Sequence, residues 1–194
     1  MDDEGLEGLT MRRLGERLDI KSASLYWHVR DKAELLNLIA DQICGEIEAP
    51  TTGQGWRERL IELAIECRRV FRGHRDAALV MAGTIPIGPN RLRLAELGLA
   101  TLSEGGFDPT VVARAGVMFT DFVTNFVIEE DRAESMVAAF EAEGVSIGDW
   151  FQSLPAEMYP TLASLGSQLA DADSDGRFRF GLDLLLRGLP DPGH

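Results

Sequence analysis

Residues 11–32 read MRRLGERLDIKSASLYWHVRDK, and the fold turns on this stretch. Leu14 and Leu18 lie four apart within 11–18, the spacing of one helix face. A second short helix is predicted over 22–29, after Asp19, Ile20 and Lys21. A helix, a three-residue turn and a helix make helix-turn-helix geometry. Gly15 gives the first helix a small residue where the second can approach closely. Asp19 tolerates the left-handed backbone that such a turn often needs. Ser22 is placed to cap the second helix. Arg12, Arg13, Arg17, Lys21, Arg30 and Lys32 stand against Glu16, Asp19 and Asp31, so the stretch carries +3. In such a motif the N-terminal part of the second helix enters the major groove. Ser22, Ala23, Ser24 and Tyr26 then face base edges and nearby phosphates, while Arg12 and Lys32 are placed to neutralise the DNA backbone.

The charge of the whole chain is opposite. Its 194 residues hold 19 Lys+Arg and 32 Asp+Glu, a net charge of −13, so the residues outside 11–32 carry −16. Taken as a whole, the protein repels nucleic acid and anionic membrane. A small basic head on an acidic body is nevertheless the electrostatic footprint of a DNA reader. On charge alone, a solvated helix face reads equally well. With 45% hydrophobic and 26% charged residues, general disorder is excluded. No run approaches the roughly 18–20 apolar residues that span a bilayer. The acidic start MDDEGLEG has no apolar core, so it is not a signal peptide. Cys44 and Cys67 are too few for a disulfide framework and fall inside helical patterns, which predicts buried free thiols in a reducing cytoplasm.

Outward from the head the pattern stays helical. Helices are predicted over 33–48, 56–72, 76–82, 91–103, 110–130, 156–169 and 177–189. Residues 84–90 read as a turn, because two prolines and a glycine cannot continue a helix. Asp108 is the expected N-cap of the long helix, with Pro109 at its first position. That helix is apolar on more than one face and should be covered on more than one side. Residues 133–142 read as a helix or a mobile arm. Phe178, Leu182, Leu185 and Leu189 form a stripe on the last helix, while Gly181 and Gly188 lie on another face and permit close helix approach. Such helices, two per subunit, could form a four-helix bundle across a two-fold axis, or the stripe could be intramolecular core. With no strand alternation and no repeat, the fold class is all-α: a short-helix head over 1–48 and a larger helical body over 49–194.

Residues 5–36, GLEGLTMRRLGERLDIKSASLYWHVRDKAELL, resemble the DNA-binding head of the tetracycline-repressor (TetR) family of bacterial regulators. Leu25-Tyr26-Trp27-His28-Val29 followed by Lys32, and Gly8-Leu9-Thr10 before Arg12, carry the match. HRDAALVMAGT (74–84), GGFDP (105–109) and FRFGLDLLLRGL (178–189) resemble the body of the tetracycline-repressor branch. The resemblance implies a homodimer that binds a palindromic double-stranded operator, most commonly as a repressor, and is released by a small effector. It assigns DNA contacts to Met11, Arg12, Ser22, Ala23, Ser24, Tyr26, Trp27, His28 and Lys32. Tyr26 and His28 would mainly reach phosphates, and Ser22, Ala23 and Ser24 would read bases at short range. A core role in the head competes for Trp27, and a capping or core role for His28. The resemblance also implies a helix before the motif, whose last turn aligns with Met1 to Gly5. The head is therefore expected to lack its first helix, and Leu6, Leu9, Leu14, Leu25 and Leu35 to lack one wall of their core.

In the body, the resemblance places the pocket among the middle helices and the dimer interface on the long helix and the last. Phe126, Phe178, Leu182, Leu185 and Leu189 are the interface candidates. The branch holds a drug–magnesium chelate with histidines and polar groups, but here one such histidine aligns with Met81. Other ligand positions fall on Leu97, Thr101 and Ala115. Only His74 remains in the body, so no metal site and no cofactor is expected. Met81, Leu97, Thr101, Met118, Phe119 and Phe122 would make an apolar, adaptable wall suited to a hydrophobic effector. DADSDG (171–176) starts like a calcium loop, but Leu182 stands where its bidentate glutamate belongs. Glu129, Glu130 and Asp131 read as a solvated helix end rather than as catalytic carboxylates. There is no nucleophile elbow, P-loop or dinucleotide fingerprint, so an enzyme is not expected. The competing function is a dimeric small-molecule binder whose shortened head does not read DNA.

Overall fold

The computed structural model describes residues 5–17, 27, 29–51, 55–171 and 173–190. Among these, ten helices and no strand occur: α1 (Gly5–Gly8), α2 (Met11–Arg17), α3 (Lys32–Gly45), α4 (Trp56–Gly73), α5 (Ala77–Ala82), α6 (Pro89–Ser103), α7 (Pro109–Ala142), α8 (Ile147–Gln152), α9 (Pro160–Leu169) and α10 (Ser174–Arg187). The fold is all-α. The chain clusters into two compact units, one of Met1–Ile128 with Leu182–His194 and one of Glu129–Gly181. The second predicted head helix, over 22–29, lies outside the described residues except for Trp27 and Val29.

In the first unit, side chains of the turns start the helices. Thr10 Oγ1 accepts from the Arg13 amide at 3.2 Å to open α2, and Asp31 Oδ1 accepts from the Glu34 amide at 2.8 Å to open α3. Asp108 opens α7 as the sequence predicts, accepting from the Thr110 amide at 2.8 Å. This bond from the Thr110 amide holds the Asp108 carboxyl below its usual range. The GGF turn before α7 is tight: a side chain at Gly105 would meet the Phe107 ring at 2.4 Å. Phe107 in turn stacks edge-on against Trp56 at 5.2 Å. The core is built from Ala40, Ile43 and Cys44 of α3, Leu60, Ala64, Cys67 and Phe71 of α4, Val80 and Met81 of α5, Leu102 of α6 and the stripe Val112, Ala115, Phe119, Val123, Val127 of α7. Burial pushes the Cys44 thiol up to about 11 and the Cys67 thiol up to about 12, so both are inert thiols at neutral pH.

Part of the apolar surface of the long helix is open in the single chain, where Val117 and Met118 are 62% and 56% exposed. One expectation about this helix needs correction: it does not end near residue 130. Residues 133–142 are rich in Ala and Glu, both strong helix formers, and no breaker intervenes before Gly144. Gly144 then ends the helix at φ 75°, with its amide bonded to Glu141 O at 2.9 Å and that of Val145 to Phe140 O at 3.0 Å. At 34 residues, α7 is long and apolar enough by length and composition to cross a bilayer, contrary to the sequence reading. Its apolarity is used by the buried stripe that packs into the core.

The second unit carries α8, which periodicity alone does not reveal because it spans fewer than two turns. The signal that could have found it is the capping pair Ser146 and Asp149: Ser146 Oγ accepts from the Asp149 amide at 3.3 Å. α8 packs closely on α9, where a Cβ at Gly166 would lie 2.5 Å from Phe151 Cβ. Gly166→Ala should therefore lower the thermal midpoint, with overpacking of about 1–3 kcal/mol exceeding the helix-propensity gain; an unchanged melt would contradict this packing. Glu130 is not part of a solvated helix end. It is 2% exposed and accepts a hydrogen bond from the Ser174 hydroxyl in the first turn of α10, where the positive end of the helix dipole favours an anion. Glu129 remains exposed and pairs with Arg132.

Candidate functional site

The head presents a charged surface around a small core. On α2, Arg12 is exposed and its guanidinium meets Glu16 at 3.2 Å, while Gly15 is buried as the helix-approach argument requires. Met11 is half-buried. Lys32, at the start of α3, donates from Nζ to Leu6 O at 3.3 Å. Trp27 is 88% exposed, so it is not part of the core formed by the described residues. Ser22, Ala23, Ser24, Tyr26 and His28 lie outside the described residues. Leu6, Leu9 and Leu14 are half-buried, whereas Leu35 is buried. α1 is also tied to the body, since the Leu6 amide donates to Asp76 Oδ2 at 2.6 Å.

The pocket candidates divide into three groups. Met81, Thr101, Ala115 and Phe119 are each buried. Leu97 and Phe122 are half-buried, with Phe122 stacked at 5.7 Å on Phe126. Met118 faces solvent and is not part of the wall; it lies one residue, about 100° of helix turn, from the buried Phe119. Thr101 offers little polarity, because its hydroxyl donates to Leu97 O at 2.7 Å. The Cys44 and Met81 sulfurs are in contact at 3.8 Å, and the Met81 carbonyl accepts from Thr84 Oγ1 and Arg91 Nη2 at 3.5 Å each. Among the described residues, no three His, Cys, Asp or Glu side chains gather as a metal site. His74 Nε2 is bonded to Glu46 Oε2 at 2.9 Å. Before α10, Asp173 serves as a cap: its Oδ1 accepts from the Gly176 amide at 2.8 Å.

The interface candidates are corrected by burial. Phe178 and Leu182 are 0% and 1% exposed within a single chain, so they are core and not surface. Leu185, Leu189 and Phe126 are half-buried, and Arg68 lies over the Phe126 ring at 5.5 Å. The apolar residues that α10 leaves open are Phe180 and Leu184, 66% and 55% exposed and one helical turn apart. Sequence reasoning missed them because Phe180 and Leu184 form a second i, i+4 pair beside the longer stripe. It also missed the buried carboxylate Asp41 of α3, which is bonded across to the first turn of α6.

Comparison with known proteins agrees with this architecture. Residues 1–39 match bacterial regulatory proteins of the tetR family, and residues 49–191 match the tetracyclin repressor-like C-terminal domain. An HTH-type transcriptional regulator of Saccharopolyspora erythraea is 35% identical over 97% of this chain and 79% of its own length. The class E tetracycline repressor of Escherichia coli is 31% identical over 97% of this chain and 84% of its own. Among solved structures, the Streptomyces coelicolor TetR family protein ActR in complex with actinorhodin superposes with a TM-score of 0.86. It is 34% identical, over 97% of this chain and 88% of that one.

Proposed function

This chain belongs to the tetR family of bacterial regulatory proteins, and on that basis we propose that it is a repressor that binds a two-fold symmetric DNA site as a homodimer and leaves it when a small apolar effector occupies the body. The head over 1–48 reads DNA through Met11, Arg12, Ser22, Ala23, Ser24, Tyr26, Trp27, His28 and Lys32. The body over 49–194 binds the effector and the second copy. The relatives are named as regulators, not as enzymes, and the protein acts by binding, in the cytoplasm, without a catalytic step. The family match of the head disfavours the competing reading of a binder that does not engage DNA.

The observation that carries the effector class is the apolar lining. Met81, Ala115 and Phe119 are buried apolar side chains, and among the described residues no three His, Cys, Asp or Glu side chains gather as a metal site. Such a wall recognises a ligand by burying apolar area, at about 25 cal/mol per Å², and not by coordinating a metal chelate. Phe122 and Leu97 complete the wall. The copies meet through Phe180 and Leu184 of α10, with Leu185, Leu189 and Phe126 at the margin.

The mechanism is linkage. An effector that binds more tightly to the state with wrongly spaced heads lowers operator affinity by that difference in affinity. A coupling of about 1–3 kcal/mol gives roughly 5–150-fold release, and operator weakens effector binding by the same factor. The test is retardation of a duplex selected from a random pool, with hydrophobic compounds as probes and actinorhodin, the ligand of the similar ActR structure, as a polar comparison. Release by a hydrophobic compound lacking ionised groups supports the reading. Magnesium–tetracycline should show no tight binding, and a sub-micromolar constant for it would refute the apolar assignment.

A further inference from the structure

Asp41 is a carboxylate in a helix face that is otherwise apolar, 9% exposed between Ala40 and the buried Ile43 and Cys44. Its Oδ1 accepts from two backbone amides of another helix, those of Asn90 and Arg91, at 2.9 Å each. Its Oδ2 accepts from Asn90 Nδ2 at 3.1 Å. These amides open α6, which begins at Pro89 and has no side-chain cap of its own because Gly88 precedes it. The anion that the N-terminus of α6 attracts is therefore supplied by α3. Gly88 makes the approach possible: it sits at φ 114°, and a Cβ there would lie 2.4 Å from Asp41 Oδ1.

The attachment is returned in the other direction. Arg93, in the same turn of α6, donates to Cys44 O at 3.2 Å and to Ile47 O at 3.0 Å, carbonyls at and just beyond the end of α3. Arg91 reaches the end of α5, donating to Thr84 Oγ1 at 2.7 Å and Ile85 O at 3.0 Å. The first turn of α6 is thus joined to α3 by a buried carboxylate and by a cation on carbonyls. Farther along, α6 carries Leu97 and Thr101 of the proposed pocket wall, while α3 starts at Lys32, one of the proposed DNA contacts of the head.

We propose that Asp41 is the positioning residue that couples the effector wall to the DNA-reading head, an inference that rests on the regulatory function proposed above. A shift of α6 must either strand a buried carboxylate and two amides without partners or move α3 with it. Stranding buried polar groups is the more costly course, so α3 follows α6. By reciprocity, holding α3 on DNA steadies the first turn of α6.

The test is amide hydrogen exchange over residues 88–96 of the full chain, with and without a duplex selected by the wild-type protein from a random pool. Residues 119–128 of α7 serve as the internal reference. In the wild type, duplex should slow exchange over 88–96 by about 5-fold or more, the lower end of ordinary allosteric coupling. Asp41→Ala should still bind the duplex but exchange over 88–96 equally fast with and without it. Asp41→Asn, which keeps an acceptor oxygen, should regain part of the slowing. A cap that served stability alone would speed exchange in both states and leave the duplex-dependent difference unchanged. Bound duplex with no effect on 88–96 in the wild type overturns the coupling while leaving the DNA-binding function intact. The same slowing in Asp41→Ala as in the wild type, or in Asp41→Asn if the alanine variant does not fold, also overturns it. Failure of the wild type to select any duplex overturns the function and the coupling together.

Discussion

Phe178→Ala is expected to destabilise the protein by about 3–5 kcal/mol, the range for removing a fully buried phenylalanine. Phe178 has no exposed surface in the single chain, so its loss leaves a cavity that no partner lines. The denaturant midpoint should fall accordingly. The neighbouring open pair should behave differently. Phe180→Asp with Leu184→Asp places two charges on the exposed face of α10 and should convert the homodimer to monomers in sedimentation while the helical signal is retained. If Phe178→Ala leaves the midpoint unchanged, the residue is not core. If the double aspartate variant sediments as a dimer, the copies meet through another surface.

The second large effect is the salt dependence of DNA binding. Arg12 and Lys32 in each of two heads would neutralise about four phosphates. That predicts a loss of roughly 10²-fold in affinity between 50 and 200 mM salt. An acidic protein with net charge −13 shows such a dependence only if its cations are concentrated at the contact. Lys32→Ala should reduce the slope of log affinity against log salt by about one per head and weaken binding to all sequences alike. In the free protein the Lys32 ammonium is bonded to Leu6 O, so contact with phosphate would compete with this link to α1. A salt-independent affinity would remove the electrostatic basis of the proposed DNA contact.

Much of the architecture was legible before the structure. The helices around 33–48, 56–72, 76–82 and 91–103 are found close to those bounds, because apolar residues at helical spacing and glycine or proline stops are local signals. The Asp108 cap was legible for the same reason: the carboxylate and the amide that it accepts from are two residues apart. Where the sequence misled, the missing information was not local. The stripe Phe178, Leu182, Leu185, Leu189 says that one face of α10 is apolar. It does not say whether its own chain or a second copy covers that face, and the residues fully buried are Phe178, Leu182 and Leu186. Met118 was placed in the wall by type and neighbourhood, yet a step of 100° takes it to solvent. Glu130 looked like one of three surface acids, and Ser174, 44 residues away, accounts for its burial.

The all-helical class, the basic head on an acidic body and the family were determined by the sequence itself, since they depend on periodicity, charge and contiguous motifs. Which apolar faces are inside, which buried carboxylates cap a distant helix, and that Asp41 meets the start of α6 were decided only by the tertiary structure. The physical reason is that a helix face or a buried charge is satisfied by whatever packs against it, and that partner, here 49 residues away, is chosen by the fold and not by the neighbouring chain.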